Sequence, residues 1–200
     1  MDQRGIMKTG FSKKNSGFSM IEILVSVLVI SAGFLNIISL QTVAKKSNFE
    51  SLQRTSAVIL ARDITEKMRA NPVVLGNYLV SGIGAGSLSQ PSQTCIFTSK
   101  CNSIQLAAYD LWLWEQAMDG ASESRDIDNV TTNTGGLANP TGCVTGPASG
   151  GAGVYTITIV WRGLNELANV SSDTCGTGSG TYGNDEEFRR LLTFNIFISP

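Results

Sequence analysis

The clearest pattern in this chain is a long apolar run near its start. From Phe18 to Leu40 the only charged residue is Glu22, and no proline occurs. About 20 apolar residues are enough to cross the hydrocarbon core of a bilayer as a helix. Hydroxyl side chains such as Ser26 and Ser31 interrupt the run, but they can hydrogen-bond to their own helix. The run therefore predicts a membrane-spanning helix over residues 18–40.

Helical character continues beyond the apolar run. Apolar residues recur at helical spacing on one face, at Ala57, Leu60, Ile64 and Met68. On another face, Asp63 and Lys67 have the i,i+4 spacing of an ion pair. Because Pro72 disfavours the helical conformation of the residue before it, we expect the helix to end at Asn71. Residues 41–71 are thus predicted to continue the helix outside the membrane and to pack under a globular head.

A second helix is predicted within the rest of the chain, from about Ser103 to Met118. Five residues fall on one helical face and are expected in the core: Ile104, Ala107, Leu111, Trp114 and Met118. Tyr109 and Trp112 fall off this face, which makes them candidates for contact with a neighbouring protein.

Two segments alternate between apolar and polar residues, as half-buried strands do. The first directs Tyr155, Ile157, Ile159 and Trp161 to one face, and the second does the same with Leu192, Phe194, Ile196 and Ile198. The polar connection between them is too long for a tight hairpin and is expected to be a variable surface or a binding loop. Residues 80–93 and 123–136 are also expected to be loops.

Composition excludes several classes of function. The chain has 200 residues, a net charge of −1 and no histidine, so the commonest general base and metal ligand is missing. The near-neutral charge gives no electrostatic reason to bind nucleic acid. The Gly82, Gly84 and Gly86 spacing lacks the strand and helix of a phosphate-binding loop. No serine motif has a supporting catalytic context, so we expect neither an enzyme nor a cofactor.

Four cysteines lie on the far side of the apolar run from Lys8, Lys13 and Lys14: Cys95, Cys101, Cys143 and Cys175. Their spacing is not that of a zinc site, so no metal is expected. An oxidising compartment would favour disulfides. Of the three possible connectivities we favour Cys95 with Cys101 and Cys143 with Cys175, which close a tight loop and a longer, glycine-rich one.

The residues before the apolar run indicate how it is processed. Lys8, Lys13 and Lys14 mark the N-terminal side as cytoplasmic. A secretory signal would place small residues after its apolar stretch, whereas here Gly17 precedes it. The segment GFSMIEIL resembles the class III signal of type IV prepilins, G-F-[ST]-L-[IL]-E. The resemblance implies that prepilin peptidase removes residues 1–17 and methylates the new Phe18 amine.

Glu22 has two interpretations. It is either an interfacial carboxylate favoured by the helix dipole, or a group with a dedicated partner, because an ionised carboxylate costs about 3 kcal/mol at the bilayer centre. The resemblance places Glu22 where prepilins have a glutamate that meets the N-terminal amine of a neighbouring subunit. Two opposite charges in a medium of low dielectric constant attract strongly, which supports this role.

Residues 17–72 further resemble the PilV-type minor pilins, which typically read S-x-G-L-L-x-L-A-x-L-Q and then A-x-x-L-A-x-D-I-x-E-R-M-R-A-N. The matching residues here are Ser31, Gly33, Leu40, Gln41, Ala61, Asp63, Ile64, Glu66, Met68, Arg69, Ala70 and Asn71. Lys67 replaces the usual arginine. The proline kink of many major pilins is absent, so that a bend would have to come from Gly33 or the serines.

This resemblance implies an α+β, pilin-like fold: a long N-terminal transmembrane helix whose C-terminal half packs on a small antiparallel sheet, with the head over residues 72–200. It also implies a minor pilin that helps to initiate pilus assembly and supports adhesion and twitching motility. Its partners would be other minor pilins, the major pilin, prepilin peptidase and the inner-membrane assembly machinery. The N-terminus would be cytoplasmic and the head periplasmic, with incorporation into the extracellular pilus.

Two other interpretations stay open. A pseudopilin of a type II secretion system shares the signal and the fold plan. An adhesin that contacts a surface through residues 163–187 is compatible with the pilin interpretation.

Overall fold

The computed structural model describes residues 17, 19–96, 99–127, 130–168 and 171–199. The chain divides into two compact units, Met1–Lys45 and Lys46–Pro200. Helix α1 spans Met20–Ala70 and contributes residues to both units. Its end at Ala70 agrees with the end predicted before Pro72.

In the first unit, the described part of α1 buries no side chain. Its hydroxyl groups turn back onto the helix, as expected for a segment without other partners. The Ser26 hydroxyl donates to the Glu22 carbonyl and the Ser31 hydroxyl to the Val27 carbonyl, both at 2.7 Å. These polar side chains are therefore compatible with apolar surroundings for the helix. By length and composition, α1 is able to cross a membrane.

In the second unit, α1 buries one face. This face contains the four predicted core residues Ala57, Leu60, Ile64 and Met68, together with Gln53, Ala61 and Thr65. The Gln53 amide accepts from the Ala138 N–H at 2.8 Å and donates to the Gly136 carbonyl at 3.2 Å. The predicted ion pair also forms, with the Lys67 Nζ 3.0 Å from the Asp63 carboxylate.

A four-stranded antiparallel sheet packs on this part of α1. Its strands are β1 (Val80–Ile83), β4 (Thr141–Thr145), β5 (Gly153–Arg162) and β6 (Arg189–Ile198), in the order β1-β4-β5-β6. Strands β5 and β6 pair without a bulge over ten residues. The predicted inner faces are confirmed, because Tyr155, Ile157, Ile159 and Trp161 are buried in one core with α1, and Leu192 and Phe194 pack against that core.

Helix α2 spans Ser103–Asp119 and begins with a capping box between Asn102 and Gln105. Ala107, Leu111, Trp114 and Met118 are buried as predicted, and the Trp114 indole N–H donates to the Leu60 carbonyl at 3.0 Å. The prediction for Ile104 is wrong: its side chain is 57% exposed. Ile104 lies in the first turn of α2, where the helix has not yet reached the core.

Two predicted loops and the segment directly after α1 contain regular structure. Residues 72–78 form 3₁₀ turns and the glycine-rich stretch contributes β1. The polar segment after α2 forms a hairpin of β2 (Ser124–Ile127) and β3 (Val130–Asn133). These short strands contain few apolar residues. Their formation therefore depends on backbone pairing rather than on an alternating apolar pattern. The long connection before β6 contains no helix or strand among its described residues, as predicted.

Candidate functional site

The first turn of α1 carries the candidate assembly site. The Glu22 N–H donates to the Ser19 carbonyl at 3.0 Å, so Glu22 is held in the first helical turn. Its side chain is exposed and makes no ion pair or hydrogen bond with the described residues. Gly17 is exposed, whereas Phe18 and the lysines of the leader lie outside the described residues.

Exposed apolar side chains surround Glu22 and continue along the helix. Each of the following has about half or more of its surface exposed: Met20, Ile21, Ile23, Leu24, Val25, Val27, Leu28, Val29, Ile30, Phe34, Leu35, Ile37, Ile38, Leu40 and Val43. An apolar surface of this extent is not stable in water on its own. It requires lipid, other apolar helices or both.

Two disulfides stabilise the second unit. The structure joins Cys95 with Cys101 and Cys143 with Cys175, the pairing that the sequence favoured. The second bridge connects β4 to the long connection before β6. Cys143 and Cys175 are buried beside Val160 and Tyr182 in a small cluster of their own.

Arg189 also holds the long connection before β6. No pattern in the sequence had indicated this role. Its guanidinium donates to the carbonyls of Cys175, Ser171 and Asp173 at 2.9, 2.7 and 2.7 Å. The side chain is buried, and charge-assisted bonds of this kind are about twice as strong as neutral ones. The signal available in the sequence was an arginine at the start of a predicted strand rich in apolar residues.

A polar network anchors the C-terminal end of α1 to α2. The Tyr78 hydroxyl donates to the Asp110 carboxylate at 2.6 Å, and the Asn71 amide donates to the Ser103 carbonyl at 2.7 Å. Burial raises the pKa of the Asp110 carboxyl, while the hydrogen bond from Tyr78 and the charge of Lys67 oppose this shift. Burial and the neighbouring Asp110 also raise the pKa of Tyr78.

The glycine-rich loop after β1 binds anions, but they are carboxylates of the protein itself. Glu115 is fully buried and accepts from the backbone N–H groups of Gly84, Ser87 and Leu88 and from the Ser87 hydroxyl. Asp119 accepts from the next two N–H groups, at Ala85 and Gly86. These donors are therefore not available to a phosphate.

Asp110 and Glu115 share one feature that the sequence could have revealed. Both lie on the α2 face that carries Ala107, Leu111, Trp114 and Met118, at helical spacing. A carboxylate on an apolar face requires hydrogen-bond donors in the folded protein. Within the described residues, no group of three or more histidine, cysteine or acidic side chains is arranged to hold a metal ion.

A protein-family model matches part of the chain. Residues 39–112 match the model of the Tt1218-like family, described as type IV pilin Tt1218. This match supports a type IV pilin. The matched residues cover less than half of the chain and include the end of α1, strand β1, the Cys95–Cys101 bridge and most of α2. No curated protein and no solved structure matches the chain.

The family match agrees with the fold. The structure has the α+β, pilin-like architecture expected from the sequence: a long N-terminal helix with an apolar first part, followed by a small antiparallel sheet. The pilin family is a family of structural proteins rather than enzymes. The long apolar helix is compatible with a membrane anchor.

Proposed function

We propose that this chain is a minor pilin of a type IV pilus that helps to initiate assembly of the fibre. The observation that carries the proposal is the first part of α1: an apolar surface that is exposed among the described residues, with a carboxylate at Glu22 that makes no ion pair or hydrogen bond with them. The match of residues 39–112 to a type IV pilin family independently supports the assignment to type IV pilins.

The proposed processing divides the chain into four parts. Prepilin peptidase removes residues 1–17 by cutting after Gly17, and Phe18 becomes the methylated N-terminus. Residues 18–40 cross the inner membrane, residues 41–71 continue the helix in the periplasm, and residues 72–200 form the head. The two disulfides suit an oxidising periplasm. The subunit then leaves the membrane for the extracellular pilus.

Assembly follows from the same surface. The apolar side chains of residues 18–40 exchange lipid for the apolar helices of other minor pilins and of the major pilin. During this exchange Glu22 pairs with the Phe18 amine of a neighbour, so that neither charge stays unpaired in a medium of low dielectric constant. As a minor pilin the subunit supports adhesion and twitching motility through the fibre that it helps to start.

The amount of pilin sheared from cells tests this proposal. An in-frame deletion of the gene should abolish surface pili, and complementation should restore them. Unchanged pili would contradict the pilus assignment and favour a pseudopilin of a secretion system.

Substitution of Glu22 tests the pairing. Glu22→Ala should fail to restore pili in the deletion strain, although immunoblots show that the leader is still removed. Glu66→Ala is the matched control, because Glu66 is an exposed glutamate of the same helix whose partner is Arg69 in its own chain. Normal piliation with Glu22→Ala would contradict the pairing with the Phe18 amine.

A further inference from the structure

A cavity of about 440 Å³ lies between α1 and the paired ends of β5 and β6. Its lining contains three charged side chains, Glu50, Arg54 and Arg190, together with Ser51, Trp161 and Leu191. Two positive charges therefore face one negative charge. No part of the proposed pilin function uses this cavity.

Two donors at this cavity lack acceptors. Trp161 is only 3% exposed, and its indole N–H has no hydrogen-bond partner among the described residues. The Nη1 of Arg190 is also buried without a partner. In contrast, the Trp114 indole donates to a carbonyl. A buried donor without an acceptor destabilises the fold, so two of them beside one cavity indicate that an acceptor belongs there.

Glu50 does not supply that acceptor. Its Oε1 accepts from the Leu164 N–H at 2.8 Å. Its Oε2 lies 3.6 Å from the Arg190 Nε, beyond hydrogen-bond distance. The Arg190 Nη2 is held by the Asn165 carbonyl at 2.7 Å. The loose contact between Glu50 and Arg190 is thus the one that can open to admit a ligand.

Arg54 adds a further donor group at the cavity. Its side chain is exposed and forms no ion pair with the described residues. Guanidinium groups bind carboxylates with two parallel hydrogen bonds, and an indole N–H is able to donate a third. A ligand that offers only acceptors and one negative charge matches this set and balances the excess positive charge.

We infer that this cavity binds a carboxylate group through Arg54, Arg190 and the Trp161 indole N–H. The carboxylate comes either from a small acid in solution or from an acidic side chain of a second copy of this chain. Because both donors are covered in this structure, binding requires a shift of the Arg190 side chain.

The indole N–H resonance of Trp161 reports directly on binding. In the full-length chain in detergent micelles, labelled with ¹⁵N, sodium acetate should move this resonance downfield in a saturable way. Sodium chloride at equal ionic strength should not do so. The resonance is assigned by its loss in Trp161→Phe, and the Trp114 indole serves as an internal reference that does not move.

Two arginine variants test the ligand set. Arg54→Gln should raise the dissociation constant for acetate about fivefold, as expected for the loss of one exposed charge interaction. Arg62→Gln removes an exposed arginine of the same helix that does not line the cavity. It should change the dissociation constant for acetate less than twofold. Equal effects of the two variants, or a Trp161 resonance that does not respond to acetate, would overturn the inference and leave water as the occupant.

A dilution series distinguishes the two sources of the carboxylate. If a second copy supplies it, the Trp161 resonance should shift with protein concentration in the absence of acetate, and acetate should reverse that shift. If a small acid supplies it, the resonance should respond to acetate at every protein concentration and to nothing else. Both results support the site, and neither depends on pilus formation.

Discussion

The two parts of α1 share one secondary structure but differ in what stabilises them. Before Lys45 the helix is apolar on all sides and buries nothing, whereas after Lys46 it buries a single face against the sheet and α2. Leu28 and Leu52 illustrate the difference, because they are 69% and 67% exposed although they belong to different parts. The exposed fraction of a leucine in the single chain therefore does not show whether its surroundings are water or an apolar medium.

The carboxylates show the same contrast. Glu115, in the second unit, is fully buried and has four donors of its own chain. Glu22, in the first unit, has none among the described residues. A charge that the fold satisfies serves stability, whereas a charge that the fold leaves unsatisfied points to a partner.

The largest effect is expected from shortening a core residue of the second part. Ile64→Ala should lower the free energy of unfolding by about 4 kcal/mol, because it removes buried methyl groups and leaves a cavity. The measurement is denaturant unfolding of the full-length chain in detergent, followed by tryptophan fluorescence.

Two exposed isoleucines serve as controls for Ile64. Ile30→Ala in the first part and Ile59→Ala in the second should each change the free energy of unfolding by less than about 0.5 kcal/mol. Equal losses for Ile30 and Ile64 would mean that the two parts do not differ in packing.

Removal of the disulfides should affect the second unit unequally. The Cys143–Cys175 bridge spans 32 residues and the Cys95–Cys101 bridge spans 6. From loop entropy alone we expect losses of about 3.5 and 2 kcal/mol for the respective double serine variants. The same unfolding experiment measures both, and a larger loss for the short bridge would refute the entropic argument.

Substitution by a charged residue should distinguish the two similarly exposed leucines, Leu28 and Leu52. Leu28→Arg should weaken membrane insertion by about 3 kcal/mol, since it places a guanidinium within the hydrocarbon core. Leu52→Arg should leave insertion unchanged, because that residue lies outside the apolar run. Alkaline carbonate extraction of membranes measures the fraction that stays embedded. Equal retention of the two variants would contradict the proposed membrane boundary.

The smallest effect concerns pH. Because burial raises the pKa of Asp110, the native chain binds this proton more tightly than the unfolded chain does. The resulting stabilisation is complete below the ordinary pKa of aspartate, about 4, and is lost as the pH rises through the native pKa. Asp110→Asn should remove this pH-dependent loss of stability, because the asparagine does not titrate. Its amide oxygen still accepts a hydrogen bond from Tyr78.

Unfolding free energies measured from pH 3.5 to 7 test the role of Asp110. The wild-type curve should fall relative to that of Asp110→Asn as the pH rises. Parallel curves would show that Asp110 does not contribute to the pH dependence.

The helices were predictable because their patterns are long. The spacing of Ala57, Leu60, Ile64 and Met68 repeats over three turns, and Pro72 limits the helix end to within one residue of Ala70. Strands β5 and β6 carry apolar residues at every second position from Tyr155 to Trp161 and from Leu192 to Ile198. Strands β1 to β4 were missed because four or five residues carry too little alternation to stand out from a loop.

The sequence by itself determined the apolar run, the position of Glu22 within it and the two long strands of the sheet. Local patterns suffice for these features, because membrane insertion and regular secondary structure depend on residues that are close together in the chain. Only the tertiary structure decided that Glu115 binds the glycine-rich loop, that Arg189 holds three carbonyls, and that the Trp161 indole has no acceptor among the described residues. These depend on distances between residues far apart in the chain, which no local pattern encodes.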